Sequence, residues 1–233
     1  MTAQELASRI DHTLLKPEAS TAEIHRLVTD AIHHNFASVC VAPVFVARVV
    51  TMLRGENARI PCCTVIAFPH GTSKPTLKAI EATSAIKDGA GEIDVVAHLP
   101  HLMNADVDAS RAELIEMVRA ARATRRDVVI KVIVESALLT TDHARAEERI
   151  AAACRAVRES GCDFIKTSTG FHPAGGASVD AVRFMKRHGT DIQIKAAGGI
   201  RDLKTALAMV EAGADRLGTS ASVAILQESG KLK

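Results

Sequence analysis

Three ionisable residues stand where only chemistry or a partner would hold them. Lys166 closes the run Asp163-Phe164-Ile165-Lys166 and is followed by the small-residue stretch Thr167-Ser168-Thr169-Gly170. An amine placed where an apolar strand opens into a loop has a low-dielectric wall behind it and an open site ahead. Desolvation there favours the neutral amine, which attacks carbonyl carbon. Lys195 has the same setting in Ile192-Gln193-Ile194-Lys195-Ala196-Ala197-Gly198-Gly199. Two cations converging on one site depress the pKa of at least one of them. Asp94 lies inside the strand-like run Glu92-Ile93-Asp94-Val95-Val96, where an unpaired charge is costly. Residue types alone leave two readings open. In one, Lys166 is a Schiff-base nucleophile, Lys195 its pKa perturber and Asp94 part of a proton relay. In the other, the three form a structural Lys–Asp–Lys ion network.

The elements that must position these residues alternate along the chain. Short apolar runs predict strands over Arg9–Thr13, Ser38–Val41, Cys62–Ala67, Glu92–Val96, Val128–Val134, Phe164–Thr167, Ile192–Lys195 and Arg216–Gly218. Amphipathic stretches between them predict helices over Ala22–His34, Pro75–Asp88, Ala109–Thr124, Asp142–Ser160, Ser178–His188 and Asp202–Ala212. Ser178 and Asp202 are N-cap residues, and Gly89, Gly161 and Gly213 follow helix ends. Eight strands in βα alternation predict an α/β fold. Its form is a (β/α)8 TIM barrel, a single domain over residues 1–233 with a short N-terminal helix; a doubly wound open sheet is the alternative. In a barrel the loops after the strands form the active face. Asp11 and His12, Glu135, Lys166 and Lys195 all fall at strand ends.

Composition agrees with a parallel sheet covered by helices: 47% of residues are hydrophobic, with no Trp or Tyr. The formal net charge of +2 comes from scattered basic residues, so no nucleic-acid partner is expected. No signal-peptide pattern and no apolar run of bilayer length are present, which predicts a cytoplasmic protein with no membrane partner. The five cysteines form no C-x-x-C pair, and Cys62 and Cys63 read as two small buried residues on opposite faces of a strand. Ten histidines, among them His70, His98, His101 and His172 in predicted active-face loops, come without a metal-ligand motif, so no metal is expected. The run Arg119, Arg122, Arg125, Arg126 reads as a solvated helix face.

Two further loops suggest an anion. Gly198-Gly199-Ile200-Arg201-Asp202 opens a helix after the seventh strand, and Gly218-Thr219-Ser220-Ala221-Ser222 does so after the eighth. Glycines admit close backbone approach and helix N-termini offer free N–H groups. Loops after strands seven and eight are the usual phosphate cradle of such barrels.

Taken in order, seven segments resemble one family, the class I deoxyribose-phosphate aldolases. They are Ile10-Asp11-His12-Thr13-Leu14-Leu15-Lys16-Pro17, Ser38-Val39-Cys40-Val41, Glu92-Ile93-Asp94-Val95-Val96, Lys131-Val132-Ile133-Val134-Glu135, Phe164 to Phe171, Ile194 to Arg201 and Arg216-Leu217-Gly218-Thr219-Ser220. The resemblance spans Ile10 to Leu226. It implies a lysine Schiff base at Lys166, with Lys195 as perturber and Asp94 in proton transfer through water. It places substrate and phosphate contacts at Asp11, Thr13, Cys40, Gly170, Gly198, Gly199, Arg201, Gly218 and Ser220. The implied partners are a small phosphorylated sugar and aldehydes, without a cofactor, and a homodimer is the assembly it allows. The implied reaction cleaves 2-deoxy-D-ribose 5-phosphate into D-glyceraldehyde 3-phosphate and acetaldehyde. Against the family pattern, Ala97-His98-Leu99-Pro100 replaces an Asn-containing stretch after the fourth strand, which sets His98 near Asp94, where it would alter the proton relay or the acceptor pocket. The chain also contains no tyrosine, the residue that many members carry in a C-terminal tail.

Overall fold

The computed structural model describes residues 1–230, and eight parallel strands close on themselves in sequence order. They are β1 (Ile10–Leu14), β2 (Ser38–Val41), β3 (Cys62–Ile66), β4 (Glu92–Val96), β5 (Val129–Ile133), β6 (Phe164–Lys166), β7 (Gln193–Ala197) and β8 (Arg216–Thr219). The ladder closes where β1 meets β8, with Asp11 opposite Gly218. The closed barrel therefore holds, and the open doubly wound sheet does not.

The connections are helical. A short helix α1 (Ala3–Ala7) precedes the barrel, as expected. Then come α2 (Thr21–His34), α3 (Val46–Gly55), α4 (Pro75–Lys87), α5 (Leu99–Met103), α6 (Val107–Thr124), α7 (Ser136–Leu139), α8 (Ala146–Glu159), α9 (Val179–His188), α10 (Leu203–Ala212) and α11 (Ser222–Gly230). Ser178 and Asp202 cap α9 and α10 through their side-chain oxygens, and Ser20 and Glu23 form a capping box on α2. The helix expected from Asp142 begins at Ala146 instead. Asp142 accepts the Ala144 N–H at 3.2 Å, a local turn bond that competes with a helical start.

Period-two alternation divides the strands into two populations. Outward residues such as Ile10, Ile93, Val95, Ile130, Val132, Ile165, Ile194 and Leu217 join one large apolar core between barrel and helices. Inward residues are different: Glu92 and Asp94 on β4, Lys131 on β5, Lys166 on β6 and Lys195 on β7 are all buried. A small inner cluster of Cys40, Cys63 and Val65 fills the β2–β3 side. The hydrophobic effect is thus concentrated outside the barrel wall, and the inside holds charge.

Candidate active site

Ladder register makes the inner charges neighbours. Asp94 pairs with Lys131 across β4 and β5, and Lys166 stands opposite Lys195 across β6 and β7. Asp94 is the hub. Its Oδ1 accepts from Lys131 Nζ at 2.8 Å; its Oδ2 accepts from Lys166 Nζ at 2.8 Å and from Lys195 Nζ at 2.7 Å. Lys195 also reaches Asp11 Oδ2 at 2.5 Å, and Lys131 reaches Glu92 Oε2 at 2.6 Å. Arg216 donates to Asp11 Oδ1 at 2.6 Å. Three carboxylates are therefore shared among three amines and a guanidinium.

The electrostatic consequence follows from that sharing. Burial by itself would push the Asp94 carboxyl up, but Lys131, Lys166 and Lys195 together hold it well below the usual carboxylate range. Asp11 behaves alike, with Lys195, Lys131 and Arg216 overcoming its burial. For Lys195, burial works against the ammonium, yet Asp11 and Asp94 raise its pKa above the ordinary lysine value. Lys195 is thus a cation held beside Lys166 on the same carboxylate oxygen.

Above this cluster lies an open cleft at the C-terminal ends of the strands. Lys166 lines it, together with Thr13, Gly170, Gly198, Gly199, Arg201, Gly218 and Ser220, so seven of the nine expected substrate contacts meet there. Gly198 has φ +88°, and a Cβ on it would meet Gly176 Cα at 3.0 Å and Gly170 Cα at 3.3 Å. Both the left-handed backbone and the crowding require glycine. The Arg201 side of the cleft opens α10, whose N-cap is Asp202.

Some expectations are placed elsewhere. Asp11 and Cys40 are fully buried below the cleft and do not line it: Asp11 is an ion partner of Lys195, and Cys40 packs on Cys63. Cys63 is more than a small apolar residue, since its thiol donates to Asp94 Oδ1 at 3.2 Å and receives a 3.3 Å contact from Lys131. Hydrogen bonding to Cys63, with the nearby lysines, lowers the Cys40 pKa, whereas burial raises that of Cys63. His98 makes no hydrogen bond to the Asp94 carboxylate among the described residues. It lies beyond the end of β4, its backbone N–H bound to Glu113 Oε2 at 3.1 Å and its ring 4.4 Å from that of His101. Arg122 is not simply solvated, because it clasps Asp163 at 3.0 Å.

Lys131, Glu92, Arg216 and Lys16 were not predicted to act here. Lys16 lines the cleft from the loop after β1, opposite in chain order to the β7 and β8 loops. Barrel closure also assembles donor sets that no sequence spacing shows: Cys40, Cys63 and Asp94, and Asp11, Cys63 and Glu92, each within 4.8 Å. Their acceptor atoms already face Lys131, Lys166 and Lys195, whose amines oppose a divalent cation.

Comparison with known proteins agrees with this geometry. The model of the DeoC/LacD family aldolases matches residues 6–228. A deoxyribose-phosphate aldolase of Corynebacterium diphtheriae is 47% identical over 232 residues, covering 99% of both chains. That of Thermoanaerobacter sp. is 44% identical over 229 residues, covering 98% of each. The solved tetrameric structure of deoxyribose phosphate aldolase from Aeropyrum pernix superposes with a TM-score of 0.88 at 31% identity. It covers 100% of this chain and 94% of that one.

Proposed function

The chain belongs to the DeoC/LacD family of aldolases, and from that premise we propose that it cleaves 2-deoxy-D-ribose 5-phosphate reversibly through a Schiff base on Lys166. One observation carries the choice of lysine. Among the described residues, Lys195 is held by two carboxylates and Lys131 by three, while Lys166 touches only the Asp94 Oδ2 that Lys195 also uses. Lys166 is also the one amine of the cluster that lines the cleft. It is the base least committed to the network and best exposed to a carbonyl.

Each step then has a place. The phosphate of the open-chain sugar lies against the Gly198–Arg201 and Gly218–Ser220 loops, whose backbone N–H groups and Arg201 match its charge. Lys166 Nζ attacks C1, and loss of water gives an iminium. The C3 hydroxyl releases its proton as the C2–C3 bond breaks. The C2–C3 pair becomes the C1=C2 bond as the iminium π pair moves to the nitrogen, leaving an enamine and free glyceraldehyde 3-phosphate. Protonation at C2 and hydrolysis return acetaldehyde and the amine. Asp94, held well below the usual carboxylate range, passes protons on but does not store them. Its steadier role is to align Lys166 and Lys195 on one oxygen.

The same reading makes this a cytoplasmic enzyme; among the described residues no helix is long and apolar enough to cross a membrane. It also includes self-association, with Leu77 and Ile80 exposed on α4 as apolar surface for a second copy.

The test is aldehyde release from 2-deoxyribose 5-phosphate. Wild-type protein is expected to turn over and Lys166→Leu to lose activity by roughly 10⁴-fold or more. Comparable rates for the two proteins would rule the assignment out.

A further inference from the structure

We infer that Glu135 is a positioning residue for the Schiff-base lysine, an inference that rests on the proposed role of Lys166. Strand β6 is only three residues long and ends at Lys166 itself. The chain beyond it is irregular yet buried: Thr167 and Ser168 are fully enclosed and Thr169 nearly so. Irregular backbone inside a protein must find hydrogen-bond partners that a strand would have received from its neighbours. Thr167 finds them on β7, where its N–H donates to the Lys195 carbonyl at 2.9 Å and its hydroxyl exchanges 3.0 Å bonds with Ala197.

On the β5 side the partners come from the segment around Glu135. Val134 N–H donates to the Lys166 carbonyl at 3.1 Å and Ser136 N–H to the Thr167 carbonyl at 2.7 Å. Between them, Glu135 adopts a left-handed conformation with φ 50°. A non-glycine residue bears that conformation at a cost, which its surroundings must offset. Here the turn directs the carboxylate inward, where it is 1% exposed and Oε1 accepts the Thr169 N–H at 2.8 Å. Oε2 has no hydrogen-bond partner among the described residues, and neither has the buried hydroxyl of Ser168. A buried carboxylate with one oxygen unpartnered is a poor structural choice, and an apolar residue would be cheaper if packing were its only task.

What the carboxylate does is complete the ladder that β6 lacks. It fixes Thr169, whose hydroxyl in turn accepts the Phe171 N–H at 3.1 Å, and so sets the turn at Gly170 against Gly198. One side chain thereby ties the residues after Lys166 to the phosphate loop after β7. Shifting that segment moves the amine relative to the substrate carbon, and displacement of about 1 Å costs about 10²-fold in rate.

The experiment compares wild type, Glu135→Gln and Glu135→Ala by steady-state kinetics, by the rate of borohydride trapping with acetaldehyde, and by amide hydrogen exchange of the 166–171 segment. Gln keeps a carbonyl oxygen for Thr169 and is expected to stay within a few-fold of wild type. Ala is expected to lose about 10- to 100-fold in kcat, trap more slowly at Lys166 and exchange Thr169 faster, with the folded fraction measured in parallel. Three results would overturn the inference: Ala within twofold in kcat and trapping, a loss explained by unfolding alone, or Gln as impaired as Ala. Hydrogen exchange separates this from the parent reading. Unchanged exchange in Ala defeats the positioning role, whereas a wild-type protein that never traps at Lys166 defeats the aldolase assignment.

Discussion

Among the described residues, lysine side chains are buried in two places, and the two differ in how their charges are divided. Between α4 and α6, Lys78 is 1% exposed and has a carboxylate of its own, Glu113, with the Val96 carbonyl as a second acceptor at 2.6 Å. Glu113 spends its other oxygen on the His98 N–H. The two side-chain charges there are matched one to one. Inside the barrel, four bases share three carboxylates, and Asp94 Oδ2 serves two amines at once. Burial is nearly equal, with Lys166 at 3%. Burial of a lysine is therefore no sign of function; incomplete pairing next to an open cleft is. The first arrangement holds the end of β4, and the second leaves one amine available.

This comparison breaks most readily at Lys78. Removing one partner of a matched buried pair strands the other charge, so Lys78→Met is expected to cost about 3–5 kcal/mol in urea unfolding. The catalytic rate per folded molecule should change little. A variant that folds normally but loses turnover would show that the α4–α6 pair belongs to the site.

His12 supplies a third solution to burial, next to Asp11 in sequence but on the other face of β1. Among the described residues its carboxylate partner is the distant Asp30 at 4.0 Å, and its Nδ1 lies 2.9 Å from the Ser222 hydroxyl. Burial lowers its pKa from 6.5 to about 4, so the folded protein keeps it neutral. The unfolded chain binds the proton first as pH falls. Stability from this residue is present above about pH 6.5 and is lost progressively towards pH 4, by up to about 3 kcal/mol. His12→Asn should flatten the urea midpoint over that window. An unchanged slope would mean that His12 stays charged when buried.

The smallest effect is expected at the cleft rim. If Lys16 faces the substrate phosphate across from Arg201, Lys16→Met should raise KM about tenfold for the phosphorylated sugar and leave kcat nearly unchanged. Equal KM values for the two proteins would place the phosphate wholly on the β6–β8 loops.

Much of this was legible in the chain. All eight strands could be read from short apolar runs between capped helices, and Lys166, Lys195 and Asp94 from charges set into such runs. The partners that define their environment were not. Glu92 and Lys131 stand at alternate positions on β4 and β5, and only ladder register reveals that they face inward with Asp94. Arg216 meets Asp11 across 205 residues, a contact made by barrel closure and by nothing local. His98 misled for the converse reason. Four residues beyond Asp94 it is close in sequence, but β4 has ended and the chain has turned towards Glu113. Asp11 and Cys40 were drawn into the substrate site by resemblance, and their inward direction places them beneath it.

The central claim is that sharing, not burial, frees one particular amine. Borohydride reduction in the presence of acetaldehyde, followed by peptide mapping, tests it directly. A single ethyl adduct on Lys166 is expected, with Lys78, Lys131 and Lys195 unmodified. An adduct on any of those three, or none at all, would contradict it.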